Sequence, residues 1–149
     1  MAILRLLIPF AILPLLALGV IKTKDSCSPK FTKSFVEKLI SSTKVMSLKY
    51  GESKINFLEK EIEIQYGGKM KIFKHNFRLE TPDISYKACS NEKGTPSQKT
   101  SYNFSPKGLK DISGSIYIRC GDDFLAFSII SPTGGVSSCI LKNGLWQDF

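Results

Sequence analysis

The sequence predicts an α+β domain in which one amphipathic helix packs on a mostly antiparallel, twisted sheet stapled by two disulfides. Three observations point that way. One run of apolar residues recurs at helical spacing, several later runs alternate apolar and polar residues between glycine-rich breaks, and four cysteines stand far apart.

The helix comes first. Ser34-Phe35-Val36-Glu37 fits a capping box, in which serine and glutamate satisfy free amides at a helix start. Phe35, Val36, Leu39, Ile40 and Met46 follow on one face, so the helix is expected over residues 34–48. Tyr50-Gly51-Glu52-Ser53 ends it. Next, Glu61-Ile62-Glu63-Ile64-Gln65-Tyr66 alternates strictly and predicts a half-buried strand, followed after Gly67-Gly68 by a second strand from Lys69 to Leu79. A three-residue loop, Gly67–Lys69, would set Ile64 opposite Ile72 and Tyr66 opposite Met70, whereas a two-residue loop would set Ile64 against Lys71. The buried face favours the three-residue loop.

Residues 81–112 carry prolines, serines and lysines with little periodicity and are expected to form a long loop, tied down by Cys89. Strand signals return in the last third. Ile116, Ile118 and Cys120 alternate with Tyr117 and Arg119, and Phe124–Ser131 is an apolar run suited to a central strand. Pro132-Thr133-Gly134-Gly135 breaks that run, and Val136–Leu141 supplies a last strand containing Cys139.

The N-terminus has the order of a secretory signal: Arg5, an apolar run from Leu6 to Leu18, and small residues at Ala17 and Gly19. Cleavage before Val20 leaves 130 of the 149 residues, enough for one domain with one modest core. A membrane anchor is the rival, but the run is short for a span and contains Pro9 and Pro14. In an oxidising compartment Cys27, Cys89, Cys120 and Cys139 pair as two disulfides, and three pairings are open. A metal site would want closely spaced ligands, whereas here the smallest gap is nineteen residues and the chain has one histidine. The formal charge is +8, or +7 once Arg5 leaves with the signal, and eighteen of the remaining twenty cations are lysines. Such a surface attracts anions, but scattered lysines also simply keep an exported protein soluble.

The ends of the mature chain resemble a known family. Cys27-Ser28-Pro29-Lys30-Phe31-Thr32 before a helix, and Phe124–Ser131 leading into Pro132-Thr133-Gly134-Gly135 before the last cysteine, are similar to the fungal guanyl-specific ribonuclease-like secreted effectors of powdery mildews. The resemblance implies a ribonuclease-like sheet, secretion, and a disulfide joining the two ends, Cys27 to Cys139, which leaves Cys89 with Cys120. It also implies where catalytic groups would sit, and this chain departs there. The general acid position falls on Pro132, the general base position on Asn103 within Tyr102-Asn103-Phe104, and the phosphate-binding arginine position near Ile116. Asp25 stands where the effectors have an aromatic residue, and residues 140–149 run past the usual end.

RNA cleavage through a cyclic phosphate needs a base, an acid and a cation on the phosphate. With proline and asparagine at the first two places, no catalytic residue is assigned, and neither a cofactor nor a metal is implied. His75, the only histidine, reads as a surface or packing residue. Around it Tyr66, Phe73 and Phe77 interleave with Lys69, Lys71, Lys74 and Arg78, a pattern able to stack and hold single-stranded RNA. Tyr66, Lys69, Lys71, Phe73, Lys74, His75 and Arg78 are therefore the candidate RNA-binding residues, against the plainer reading of an amphipathic hairpin with solvated lysines. Asn103-Phe104-Ser105 is a glycosylation triplet. The expectation is a secreted, monomeric, catalytically inactive ribonuclease-like effector, free of stable membrane association after signal cleavage, that binds a host protein or RNA. Entry into host cells is left open. The alternatives are an active secreted ribonuclease, or a lysine-rich extracellular module unrelated to ribonucleases.

Overall fold

The computed structural model describes residues 27–149, so the expected signal segment lies outside the described residues. The described residues form one helix, α1 (Pro29–Tyr50), and ten strands: β1 (Ser53–Phe57), β2 (Glu61–Tyr66), β3 (Lys69–Lys74), β4 (Arg78–Leu79), β5 (Ser101–Ser105), β6 (Gly108–Leu109), β7 (Gly114–Cys120), β8 (Asp123–Ile130), β9 (Gly135–Lys142) and β10 (Leu145–Gln147). They make two five-stranded sheets rather than one, ordered β3-β2-β1-β5-β6 and β10-β9-β8-β7-β4, and every strand pair is antiparallel. The α+β class holds, with a second sheet added.

The helix starts at Pro29, not at Ser34. Ser28 is its N-cap, accepting from the Phe31 amide at 3.4 Å, and Pro29 takes the first turn, where its missing N–H and fixed φ cost nothing. Ser34 and Glu37 lie well inside the helix, and Glu37 instead accepts a hydrogen bond from the Ser138 hydroxyl. The end falls as expected, with the Gly51 amide donating to Ser47 O at 2.9 Å. The buried stripe is Thr32, Val36, Leu39, Ile40, Thr43 and Ser47. Two of its polar members bond within the helix: Thr43 donates to Leu39 O at 2.7 Å, and Ser47 to Lys44 O at 2.6 Å.

The β2–β3 hairpin turns on two residues, not three. Gly67 and Gly68 both have positive φ (52° and 72°), the type I′ geometry whose twist matches that of paired strands. A side chain at Gly67 would also meet the Tyr50 ring at 2.5 Å. Tyr66 therefore pairs with Lys69, Ile64 with Lys71 and Ile62 with Phe73. The buried-face rule misled because β3 is a mostly exposed edge strand, with no apolar face to bury. The expected strand 69–79 also breaks at His75–Phe77, where the chain leaves the first sheet and β4 joins β7 in the second.

The expected loop 81–112 holds two strands. In β5, Ser101-Tyr102-Asn103-Phe104-Ser105 alternates, and Tyr102 and Phe104 are fully buried. With Ile55, Phe57, Ile62 and Ile64 they line the inner face of the first sheet. That face joins α1 and the inner face of the second sheet (Ile116, Ile118, Leu125, Phe127, Ile129) in one core. A smaller cluster, Tyr117, Ala126, Cys139 and Trp146, lies on the opposite face of the second sheet, covered by Ile84, Tyr86, Ala88 and Cys89.

Those two faces overturn the expected disulfides. Cys27 joins Cys120, and Cys89 joins Cys139. Tyr117, Ala126 and Cys139 form one cross-strand row, and Ile118, Leu125 and Ile140 the next, so the two rows point to opposite faces. Cys120 shares a face with Ile118 and meets the helix start, whereas Cys139 faces the segment that carries Cys89. The bridges close loops of 93 and 50 residues, each worth about 4 kcal/mol in the chain-entropy account.

Away from the core, the sheets touch at a close backbone approach. The Leu109 amide donates to Pro132 O at 2.8 Å, which brings that oxygen within 2.0 Å of where a Cβ on Gly108 would stand. Gly108 also has φ +122°, a conformation that side chains rarely adopt. Gly108→Ala is expected to cost about 3 kcal/mol through strain and loss of that hydrogen bond. A urea midpoint equal to that of the wild type would show the approach is not needed.

Candidate functional site

The seven candidate RNA-binding residues lie on or just after the β2–β3 hairpin, but the fold does not gather them into one surface. Alternation sends Lys69, Lys71 and Phe73 to the same side as Ile62, Ile64 and Tyr66, and Met70, Ile72 and Lys74 to the other. Arg78 belongs to β4 in the second sheet, opposite Arg119.

The aromatic rings are already occupied. Tyr66 is buried beside Tyr50, with centroids 5.1 Å apart, and the Lys71 ammonium sits 5.7 Å from its ring centre. Phe73 packs against the core and meets Phe35 edge-on at 6.5 Å. The His75 ring stacks flat on Phe77 at 3.7 Å. Each of these rings therefore already makes a contact within the fold.

His75 is a joint between the sheets. Its backbone amide donates to Lys60 O at 3.1 Å, and its Nε2 lies 2.8 Å from Leu58 O, a contact that requires Nε2 to carry the proton. That tautomer leaves Nδ1 as the acceptor, and Nδ1 is buried without a partner. Two cavities flank the residue. One, of about 670 Å³, is lined by Glu59, Glu61 and Arg78 among others, and the second, of about 330 Å³, by Phe31, Thr32 and Phe35. Nδ1 is shielded from solvent and Nε2 is held by Leu58 O, so the ring anchors the chain at this joint.

The positions that the ribonuclease resemblance singles out do not converge on one cleft. Asn103 is on the outer face of the first sheet, where its backbone amide donates to Asp111 Oδ2 at 2.6 Å and its Nδ2 to the same oxygen at 3.1 Å. Pro132 lies in the β8–β9 turn, against the β5–β6 hairpin. Ile116 is fully buried in the core. As a glycosylation acceptor, Asn103 would have to give up its Nδ2 contacts with Asp111. Its neighbour Tyr102 points into the core, where burial holds the phenol well above its ordinary range. Among the described residues, no three histidine, cysteine or acidic side chains lie close enough together to hold a metal, and no helix is long and apolar enough to cross a membrane.

Sequence reading missed two surface features. One is a groove of about 330 Å³ between the second half of α1 and the β5–β6 turn, lined by Lys44, Val45, Leu48, Lys107 and Thr133 among others. The other is the outer side of β3, where Met70 and Ile72 are each 53 % exposed. The strict alternation of Lys69-Met70-Lys71-Ile72 was visible in the sequence, but the hairpin register decides which half faces solvent.

Asp111 links the β6–β7 segment to β5, so Asp111→Ala should leave the Asn103 donors without their acceptor. The expected loss is about 1–3 kcal/mol of stability, read from chemical denaturation, and an unchanged midpoint would show that the carboxylate is dispensable. Compared with protein-family models, curated proteins and solved structures, the chain matches none of them.

Proposed function

We propose that this chain is an exported binding module that performs no chemistry, a ribonuclease-like effector that engages a host protein or RNA. The observation that carries the reading is how the proton-handling groups are used. His75 bridges the sheets through Leu58 O and Phe77, and Asn103 holds Asp111. Pro132 has no titratable group and lends its carbonyl to Leu109. Export is supported by the apolar leader with its small-residue exit and by two disulfides.

The kinship with ribonuclease-like effectors is the finer part of this proposal. A helix packed on an antiparallel sheet agrees with it, while the bridge from Cys27 to Cys120 departs from the end-to-end pairing that the kinship implied. A protein partner is favoured over RNA because Tyr66, Phe73 and His75 each already pack against another ring of the fold.

Oxidised, purified protein should therefore cleave single-stranded RNA no faster than a buffer control, and should bind it at most weakly and with steep salt dependence. General acid and base groups typically contribute about 10²–10⁴-fold each, so their loss leaves no useful turnover. Robust cleavage that copurifies with the protein and disappears in His75→Gln would overturn the reading and establish a nuclease.

A further inference from the structure

β3 ends its sheet, and among the described residues no strand covers its far side. The two-residue turn makes Tyr66 and Lys69 the closing hydrogen-bonded pair, so the odd-numbered residues of β3 bond to β2 and the even-numbered ones point away. His75 keeps the same parity, its amide turned inward to Lys60 O. Met70, Ile72 and Lys74 therefore direct three N–H and three C=O groups outward. Of the four sheet edges, β4 and β6 are two residues long and β10 is three, whereas β3 has six. A bare edge of that length is a template for another strand.

Side chains say which strand. On one face of β3 stand Lys69 and Lys71, and on the other the exposed Met70 and Ile72. A strand laid alongside would place its own alternate residues next to these two sets. Carboxylates would suit the lysine side and apolar groups the Met70–Ile72 side. A second copy of this chain fits poorly, because edge-to-edge pairing would crowd Lys69, Lys71 and Lys74 of both copies, on molecules with a large positive formal charge.

Resting on the binding reading above, we propose that the outer edge of β3 is a strand-addition site for an extended partner segment whose side chains alternate acidic and apolar. Backbone hydrogen bonds to Met70, Ile72 and Lys74 hold the segment, and Lys69 and Lys71 select its charge. Lysines on an edge commonly serve to keep other strands away. Here they repel a like-charged edge while admitting a carboxylate-bearing one.

The probe is the peptide Glu-Val-Glu-Val-Glu-Val-Glu, used beside an isomer with its glutamates grouped and a copy N-methylated at alternate residues. Amide hydrogen exchange by NMR should show Met70, Ile72 and Lys74 unprotected in the free protein and slowed about tenfold or more at saturating peptide. The grouped isomer, the N-methylated copy and the Lys71→Glu variant should each lose about tenfold in affinity. No binding, binding without protection of those three amides, or equal affinity for the N-methylated copy would overturn the proposal. So would oligouridine that displaces the peptide and protects the same amides, which would mark an RNA surface. RNA turnover measured on the same protein separates the two ideas. A failed peptide with no turnover removes the strand-addition site and leaves the binding module, whereas turnover removes the module reading itself.

Discussion

The second sheet has two buried faces, and the rest of the fold depends on keeping them distinct. Across β7, β8 and β9, one row of side chains turns toward α1 and the first sheet, and the next row turns away. Cys120 lies on the inner set and Cys139 on the outer, so each disulfide can reach only one kind of neighbour. The inner bridge ties the start of α1 to the end of β7. The outer bridge draws the segment carrying Cys89 over Tyr117, Ala126 and Trp146, which would otherwise expose a sizeable apolar patch. In a chain of this size, each bridge supplies stabilisation comparable to burying a few large side chains.

Much of this was legible in the residues, and the misses have physical causes. The alternation of Ile116, Ile118 and Cys120 against Tyr117 already places Cys120 on the face of the two isoleucines. That parity could not be carried to Cys139, because Phe124–Ile130 in β8 is apolar on both sides and shows no period. The end-to-end pairing came from resemblance and not from the residues, and the faces forbid it. At the helix, Ser34 and Glu37 offered a plausible start, but Ser28-Pro29 cap it six residues earlier with the same chemistry. The short β1, β6 and β10 carry too few residues for a pattern to stand out, and in β5 only Tyr102 and Phe104 mark the buried side.

The candidate site was legible in composition and not in placement. Lysines and aromatics do cluster between Tyr66 and Arg78, yet a two-residue turn in place of a three-residue one exchanges the partners of every residue in β3. With that register the aromatics pack inward and the lysines divide between faces. The outer side of β3 presents an unpaired backbone edge, exposed lysines, and the exposed Met70 and Ile72. A small domain stapled by two disulfides is suited to presenting a rigid surface, because little backbone entropy is left to lose on contact.

Disulfide connectivity tests the two-faced sheet most directly. Cys120 and Cys139 share one tryptic peptide, residues 120–142, so the oxidised protein must be cut with trypsin and chymotrypsin together before non-reducing mass spectrometry. The fold predicts a Cys27 fragment joined to the Cys120 fragment and a Cys89 fragment joined to the Cys139 fragment. Cys27 recovered with Cys139, or with Cys89, would mean that the cysteines do not lie on opposite faces and would contradict the architecture described above.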